Sequence, residues 1–257
     1  MSKKNAVRRM LAVAVAVIAA GGVSAHAAES GSVSRFYMVE VAPAHDQAFQ
    51  AGMKTWLKCL HEHADTRSLW AWSAETGDLG RYVFESDTRT WAGIDERSPA
   101  GKACSGDFNT DVMPHVSKAV SWVARDMPKL SHDAAKGAIP AYVFVANIKL
   151  KPGQGPAFEE ALGKFAAAAN KSKWEGYWFT QQVVAGGHGA PDYNMVWPNK
   201  SWAEIGQDPS PSAKAMMESA YGKAGATANR KQYLDAVEHS WSSIYRFDKE
   251  LSYIPAK

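Results

Sequence analysis

Large apolar and polar residues alternate over residues 35–41 (Arg-Phe-Tyr-Met-Val-Glu-Val), which is the period of a strand, and Pro43 ends the run. Over residues 45–63 the period lengthens, and Phe49, Met53, Trp56, Leu57 and Leu60 fall on one stripe of a helix. Residues 67–74 and 81–85 read as two further strands. The turn between them is placed at Thr76-Gly77-Asp78, where Gly77 supplies the backbone freedom that a tight hairpin needs. Thr88 is expected to cap a short helix carrying Trp91 and Ile94. Ser98-Pro99 is expected to open another, with Ser as cap and Pro at the first helical position. Residues 119–125 close the set as a fourth strand.

The same order then returns. A strand is expected over 141–150, and a helix over 155–169 with Phe158, Leu162, Phe165, Ala166 and Ala169 on one face. Residues 175–184 and 192–197 form the hairpin, helices start near Asn199 and Ser210, another covers 227–238, and a last strand covers 240–247. The repetition extends to side chains. Ala48, Phe49, Met53 and Trp56 recur as Ala157, Phe158, Leu162 and Phe165, about 110 residues on. Tyr82, Arg89, Thr90 and Trp91 recur as Tyr193, Lys200, Ser201 and Trp202, and Ser98-Pro99 recurs as Ser210-Pro211. Such a period is too long for a solenoid unit and suits a small domain. Each unit reads strand-helix-strand-strand-helix-strand, the ferredoxin-like order. The expected division is a first repeat over 28–128, a polar linker over 129–140 and a second repeat over 141–257.

This order, duplicated, resembles the dimeric α+β barrel superfamily, which includes antibiotic-biosynthesis-monooxygenase-like proteins. The resemblance covers nearly all of the chain after its first 27 residues. It implies an α+β fold in which two tandem ferredoxin-like units pair their sheets as an intramolecular dimeric α+β barrel. It also implies the activities of relatives that act on bound aromatic or polyketide-like substrates, as cofactor-independent oxygenases or isomerases or as haem-using proteins. The segments after Ile94 and Ile205 exceed a minimal unit and are expected to hold extra helices.

The first 27 residues fall outside this pattern. Lys3, Lys4, Arg8 and Arg9 form a basic head, residues 10–20 are unbroken apolar, and Ala25-His26-Ala27 fits a small-x-small cleavage site. This is the pattern of a secretory signal peptide, and a periplasmic or secreted protein is expected. Its removal changes the charge: the chain has 29 Lys and Arg against 26 Asp and Glu. Four of the basic residues leave with the leader, so the mature chain is near neutral. A near-neutral chain without a basic cluster excludes nucleic acid as the expected partner. No later apolar run is long enough for a membrane span.

Cys59 and Cys104 are the only cysteines, and export permits a disulfide. In the repeat they align with the apolar pair Ala168 and Met216, on helices that lie side by side in a ferredoxin-like unit. A structural disulfide is expected, with two separate thiols as the alternative. Cys59-x-His61-x-His63 does not read as a metal site, because positions two apart on a helix point about 200° from each other, and no metal is expected. The aromatic residues point to a pocket. Trp70 and Trp72 share one face of a strand, and the chain carries ten tryptophans. Filling of the cores is the plain alternative. The expected function is an exported protein that binds a small hydrophobic or aromatic molecule in a helix-sheet pocket. Trp70, Trp72, Tyr82, His115, Trp178, Tyr193 and Asn194 are the contact candidates. The alternative is a barrel-superfamily enzyme. No cofactor is expected for binding alone; haem is the alternative that the resemblance brings.

Overall fold

The computed structural model describes residues 32–132 and 139–255; the expected leader and residues 133–138 lie outside them. In the first half the alternating runs form strands β1 (Val33–Val41), β2 (Leu69–Ala74), β3 (Arg81–Ser86) and β4 (Val116–Asp126). Helices α1 (Asp46–Glu62), α2 (Trp91–Asp95) and α3 (Pro99–Ala103) lie between them. The second half gives β5 (Tyr142–Leu150), α4 (Gly155–Ser172), β6 (Phe179–Ala185) and β7 (Tyr193–Asn199). It ends with α5 (Trp202–Ile205), α6 (Ala213–Ala236) and β8 (Val237–Tyr253).

Where boundaries differ from expectation, a hydrogen bond explains the difference. Thr90, not Thr88, caps α2: its Oγ1 accepts the Gly93 N–H, while Thr88 bonds Ser34. Ser98 caps α3 as expected, with Pro99 at the first position. In the second half the cap is Ser212, whose Oγ accepts the Ala215 N–H, so α6 begins after Ser210-Pro211. The expected break before residue 227 falls at Gly222, whose φ of 70° leaves the helical region. β6 starts at Phe179 because the preceding tryptophans are held elsewhere. Trp174 Nε1 donates to Pro211 O and Trp178 Nε1 to Leu130 O. The segment 128–132, expected to join a polar linker, is sewn down here: Leu130, Ser131 and His132 are buried, and His132 bonds Asn170 and Trp174 O.

The strands pair antiparallel throughout and close into one barrel in the order β1-β3-β2-β8-β5-β7-β6-β4. The first half contributes β4-β1-β3-β2 and the second β8-β5-β7-β6. The joints are β2 with β8 and β4 with β6. β8 is longer than expected because its second part crosses over to pair with β2. Conversely, residues 116–122 of β4 pair only with β1, and residues 237–244 of β8 only with β5.

Strand parity then sorts the side chains into two layers. Outward residues pack under the helices. Phe49 and Met53 of α1 are buried against Val39, Val41, Tyr82 and Phe84, and Phe158, Leu162 and Ala166 of α4 against Ile148, Tyr193 and Met195. The two cores repeat in detail. The rings of Phe49 and Tyr82 lie 4.9 Å apart at 38°, and those of Phe158 and Tyr193 4.7 Å apart at 39°. Each tyrosine hydroxyl reaches a carboxylate on the covering helix, Asp46 or Glu159. Burial, reinforced by that carboxylate, pushes both phenols up.

The cysteines are joined. Cys59 on α1 and Cys104 after α3 form a disulfide with α-carbons 5.9 Å apart. Their counterparts in the repeat, Ala168 and Met216, are both buried in the second core. The segment after Cys104 packs closely on α1: a Cβ on Gly52 would lie 2.0 Å from the Asp111 carbonyl oxygen, so only glycine permits this approach.

Candidate active site inside the barrel

The inward residues of a single four-stranded sheet would face water, but barrel closure encloses them. They surround a cavity of about 320 Å³, near the small end of the range for small-molecule sites. Its walls are mainly apolar: Phe36 and Met38 from β1, Trp72 from β2, Val83 from β3, Val145 from β5 and Val196 from β7. The loop of residues 187–191, between β6 and β7, borders it beside residues 118–122 of β4.

A few polar groups interrupt these walls. Arg81, Val83 and Glu85 alternate inward along β3. Glu85 lies opposite Phe36 on one side and Trp70 on the other, and Trp122 lies opposite Phe36 from β4. Phe36 and Trp122 stack with ring planes 2° apart. In the second half Asn147, Asn194 and Gln181 bring amides to the cavity, and Gln181 donates to Asp126.

Three of these groups have a buried atom that is not satisfied. Arg81 Nε, Trp122 Nε1 and Asn194 Oδ1 are buried without a hydrogen-bond partner, and all three residues line the cavity. An unsatisfied buried polar atom typically costs about 1–3 kcal/mol, so these atoms are positions where water or the polar groups of a ligand can bond. Arg81 is otherwise engaged, with Nη2 3.2 Å from Glu40 and also paired with Asp78. Glu85 has no hydrogen bond or ion pair among the described residues. Its half-buried side chain lines the cavity. Burial, with a smaller contribution from the negative charge of Asp126, pushes this carboxyl up to about 8. It is therefore mostly protonated at neutral pH, yet close enough to that pH to exchange a proton.

Of the pocket candidates read from the sequence, the structure brings Trp72 and Asn194 to this cavity. Trp70 shares the face of Trp72 and is the cross-strand neighbour of Glu85, but does not line the cavity. Tyr82 and Tyr193 lie in the outer layer under α1 and α4, and Trp178 is fully buried in the second core. His115 stands beside His45, away from the cavity lining. The expected helix-sheet location is thus replaced by the barrel interior, because the space under the helices is packed. Glu85, Arg81 and Trp122 were not among the candidates. Their signal was strand parity, which places Glu85 on the face of Arg81 and Val83. His63 Nδ1 lies 3.7 and 3.8 Å from the sulfurs of Cys59 and Cys104. With those sulfurs joined, the trio offers a metal no thiolate.

No family model matches the sequence, and no curated protein matches it. Solved structures do match. A proposed monooxygenase from Lactobacillus acidophilus NCFM superposes with a TM-score of 0.51 at 9% identity, covering 88% of this chain and 100% of the other. An anthrone oxidase-like protein gives 0.53 at 11%, covering 86% and 92%. A chlorite dismutase variant from Candidatus Nitrospira defluvii, in complex with cyanide, gives 0.51 at 11%, covering 87% and 93%. The chain therefore has the dimeric α+β barrel fold of these proteins, a closed antiparallel eight-stranded barrel with helices outside. At such identities the likeness is one of fold, and function has to be argued from the site.

Proposed function

We propose that this protein is an exported enzyme of the dimeric α+β barrel superfamily. In this reading it binds a small, largely apolar molecule inside the barrel and transfers a proton to or from it through Glu85. The observation that carries the reading is the unpartnered Glu85 carboxyl, set in an apolar cavity with three unsatisfied polar atoms. As carboxylate, Glu85 takes a proton from an acidic C–H or O–H of the ligand, and the electron pair stays on the ligand. As neutral acid it returns the proton. The N–H groups of Arg81 and Trp122 are donors suited to charge developing on a ligand oxygen. This proton transfer is a step that isomerases and cofactor-independent oxygenases share. It supports an enzyme over a carrier, which has no need of a titrating carboxyl beside its ligand.

Haem is compatible with the fold, given the haem-using members of the superfamily, but these residues fit it poorly. A haem iron needs an axial side chain. Among the described residues His188 is the only histidine lining the cavity, and it sits on an exposed loop. The spaces under the helices are filled by Phe49, Phe158 and Trp178. Mass spectrometry of small molecules released from protein purified from its own host is expected to find a bound aromatic or aliphatic compound. The same compound should shift tryptophan emission through Trp72 and Trp122. A Soret band in the visible spectrum would overturn the cofactor-free reading. No bound compound and no response to any hydrophobic ligand would overturn the pocket.

Two further parts belong to this proposal. The barrel is read as two fused ferredoxin-like units, 28–128 and 141–257, forming an intramolecular pseudo-dimer. The matched Phe49–Tyr82 and Phe158–Tyr193 pairs and the two equivalent joints support that division. Export is read from the leader. The disulfide is compatible with an oxidising compartment, and no described helix is long and apolar enough to cross a membrane. The mature chain is expected to begin at Ala28 or within a few residues, as N-terminal sequencing of exported material would report. A secreted chain that keeps residues 10–20 would overturn the export reading.

A further inference from the structure

His45 ends the short turn Pro43–His45 that leads into α1, and His115 ends the turn Met113–His115 that leads into β4. The two residues are 70 positions apart, yet their Nδ1 atoms lie 3.3 Å from each other, with the rings tilted by 38°. Zinc binds imidazole nitrogen at about 2.0–2.1 Å, so two nitrogens sharing a tetrahedral ion lie roughly 3.3–3.4 Å apart. The observed separation is that of a chelating pair. Without an ion, the same separation lets one ring N–H donate to the other ring nitrogen.

We propose that His45 and His115 form a surface site for a divalent late transition-metal ion, of the zinc and copper class. Imidazole nitrogen suits these ions, whereas calcium and magnesium call for oxygen ligands. The nearest acidic side chain in sequence is occupied: Asp46 Oδ1 accepts from Tyr82 and Oδ2 from Gln50. Two protein ligands leave the remaining positions to water, and the surface location leaves room for it.

The pair is held by its surroundings. Val41 pairs with Val116, which brings the end of β1 to the start of β4. The close approach of Gly52 to Asp111 fixes the segment before His115 against α1. Neither histidine must therefore be drawn in by the ion. The second half of the chain provides an internal comparison. Leu150 pairs with Val237 in the same register, but the residue preceding α4 is Gln154 and the residue preceding β8 is Ala236. The framework occurs twice and the imidazoles once. The fold thus does not require them, and the site is an addition to it. Nothing in this inference depends on the barrel cavity or on Glu85.

The test is calorimetric titration of untagged protein with zinc ion, comparing wild type with His45→Ala and His115→Ala. The expected result is saturable binding in the wild type and at least a tenfold loss of affinity in each variant. The double variant should show no further loss, because one missing ligand already opens the chelate. Unfolding midpoints in chelator should be the same for all, and His115→Gln serves if the alanine variant does not fold. Absence of saturable binding in the wild type would overturn the proposal, as would wild-type affinity in both single variants.

Discussion

Glu85→Gln is expected to stabilise the protein above neutral pH and to remove most of the pH dependence of its stability between about pH 4.5 and pH 8. In the folded protein the carboxyl is held up to about 8, against a model value of 4.5. Between those values the folded state binds a proton that the unfolded state has released. Stability therefore falls as pH rises through this window. The contribution is fully present below about 4.5 and lost above about 8. A shift of this size corresponds to about 5 kcal/mol if the site is dry; cavity water reaching the carboxyl reduces the expected span to roughly 2–5 kcal/mol. Glutamine keeps the shape and stays neutral, so urea unfolding midpoints across this window should fall in the wild type and stay nearly level in the variant. A slope of equal size in both would place the titrating group elsewhere. If Glu85 is also the proton-transfer group, its loss should cost about 10²–10⁴-fold in turnover. Stability can be read without a substrate, so the burial of Glu85 and its catalytic role are tested separately.

Reduction of the disulfide is expected to lower stability by about 4 kcal/mol, the loop-closure value for the 45-residue separation of Cys59 and Cys104. For a chain of this size that corresponds to a fall of about 8–16 °C in Tm. The loss should begin locally. Cys104 anchors α3 in a small cluster with Leu57, Leu60, Ala100 and Tyr253, at the end of α1 beyond the core of Phe49 and Met53. Hydrogen exchange after reduction should accordingly rise first over residues 99–107 and only later over β1 and β3. Calorimetry with and without reductant measures the size, and an unchanged Tm would show that this cluster holds α3 without the bond.

Much of the fold could be read along the chain because each element carries its own local signal. The stripe of Phe49, Met53 and Leu60, the alternation around Val39 and Val41, and the Ser98 cap mark their elements without reference to anything distant. The cysteine pair was legible for another reason: the repeat provided Ala168 and Met216 as an apolar comparison. The site was less legible. Alternation divides a strand into two faces, and for a lone unit the face carrying Arg81 and Glu85 reads as solvent. Only the β2–β8 and β4–β6 joints turn that face into an interior. For the same reason Tyr82 and Tyr193, polar-tipped and repeated, looked like ligand contacts although they serve the outer layer. Trp178 was misplaced by a boundary error, because β6 begins just after it.

Glu85 and Val196 occupy matching places in the two halves: Glu85 lies opposite Phe36, and Val196 opposite Val145. In an assembly of two identical chains, any residue at such a position must appear twice, and two carboxyls would share one enclosed space. On the proposed reading of two fused units, joining them in one polypeptide frees each to vary alone. The barrel can then hold Glu85 in one half and apolar Val196 at the matching place in the other, an arrangement that symmetry would forbid. Val196→Glu would place a second acid at the matching position, and the two acids would compete for protons across the same cavity.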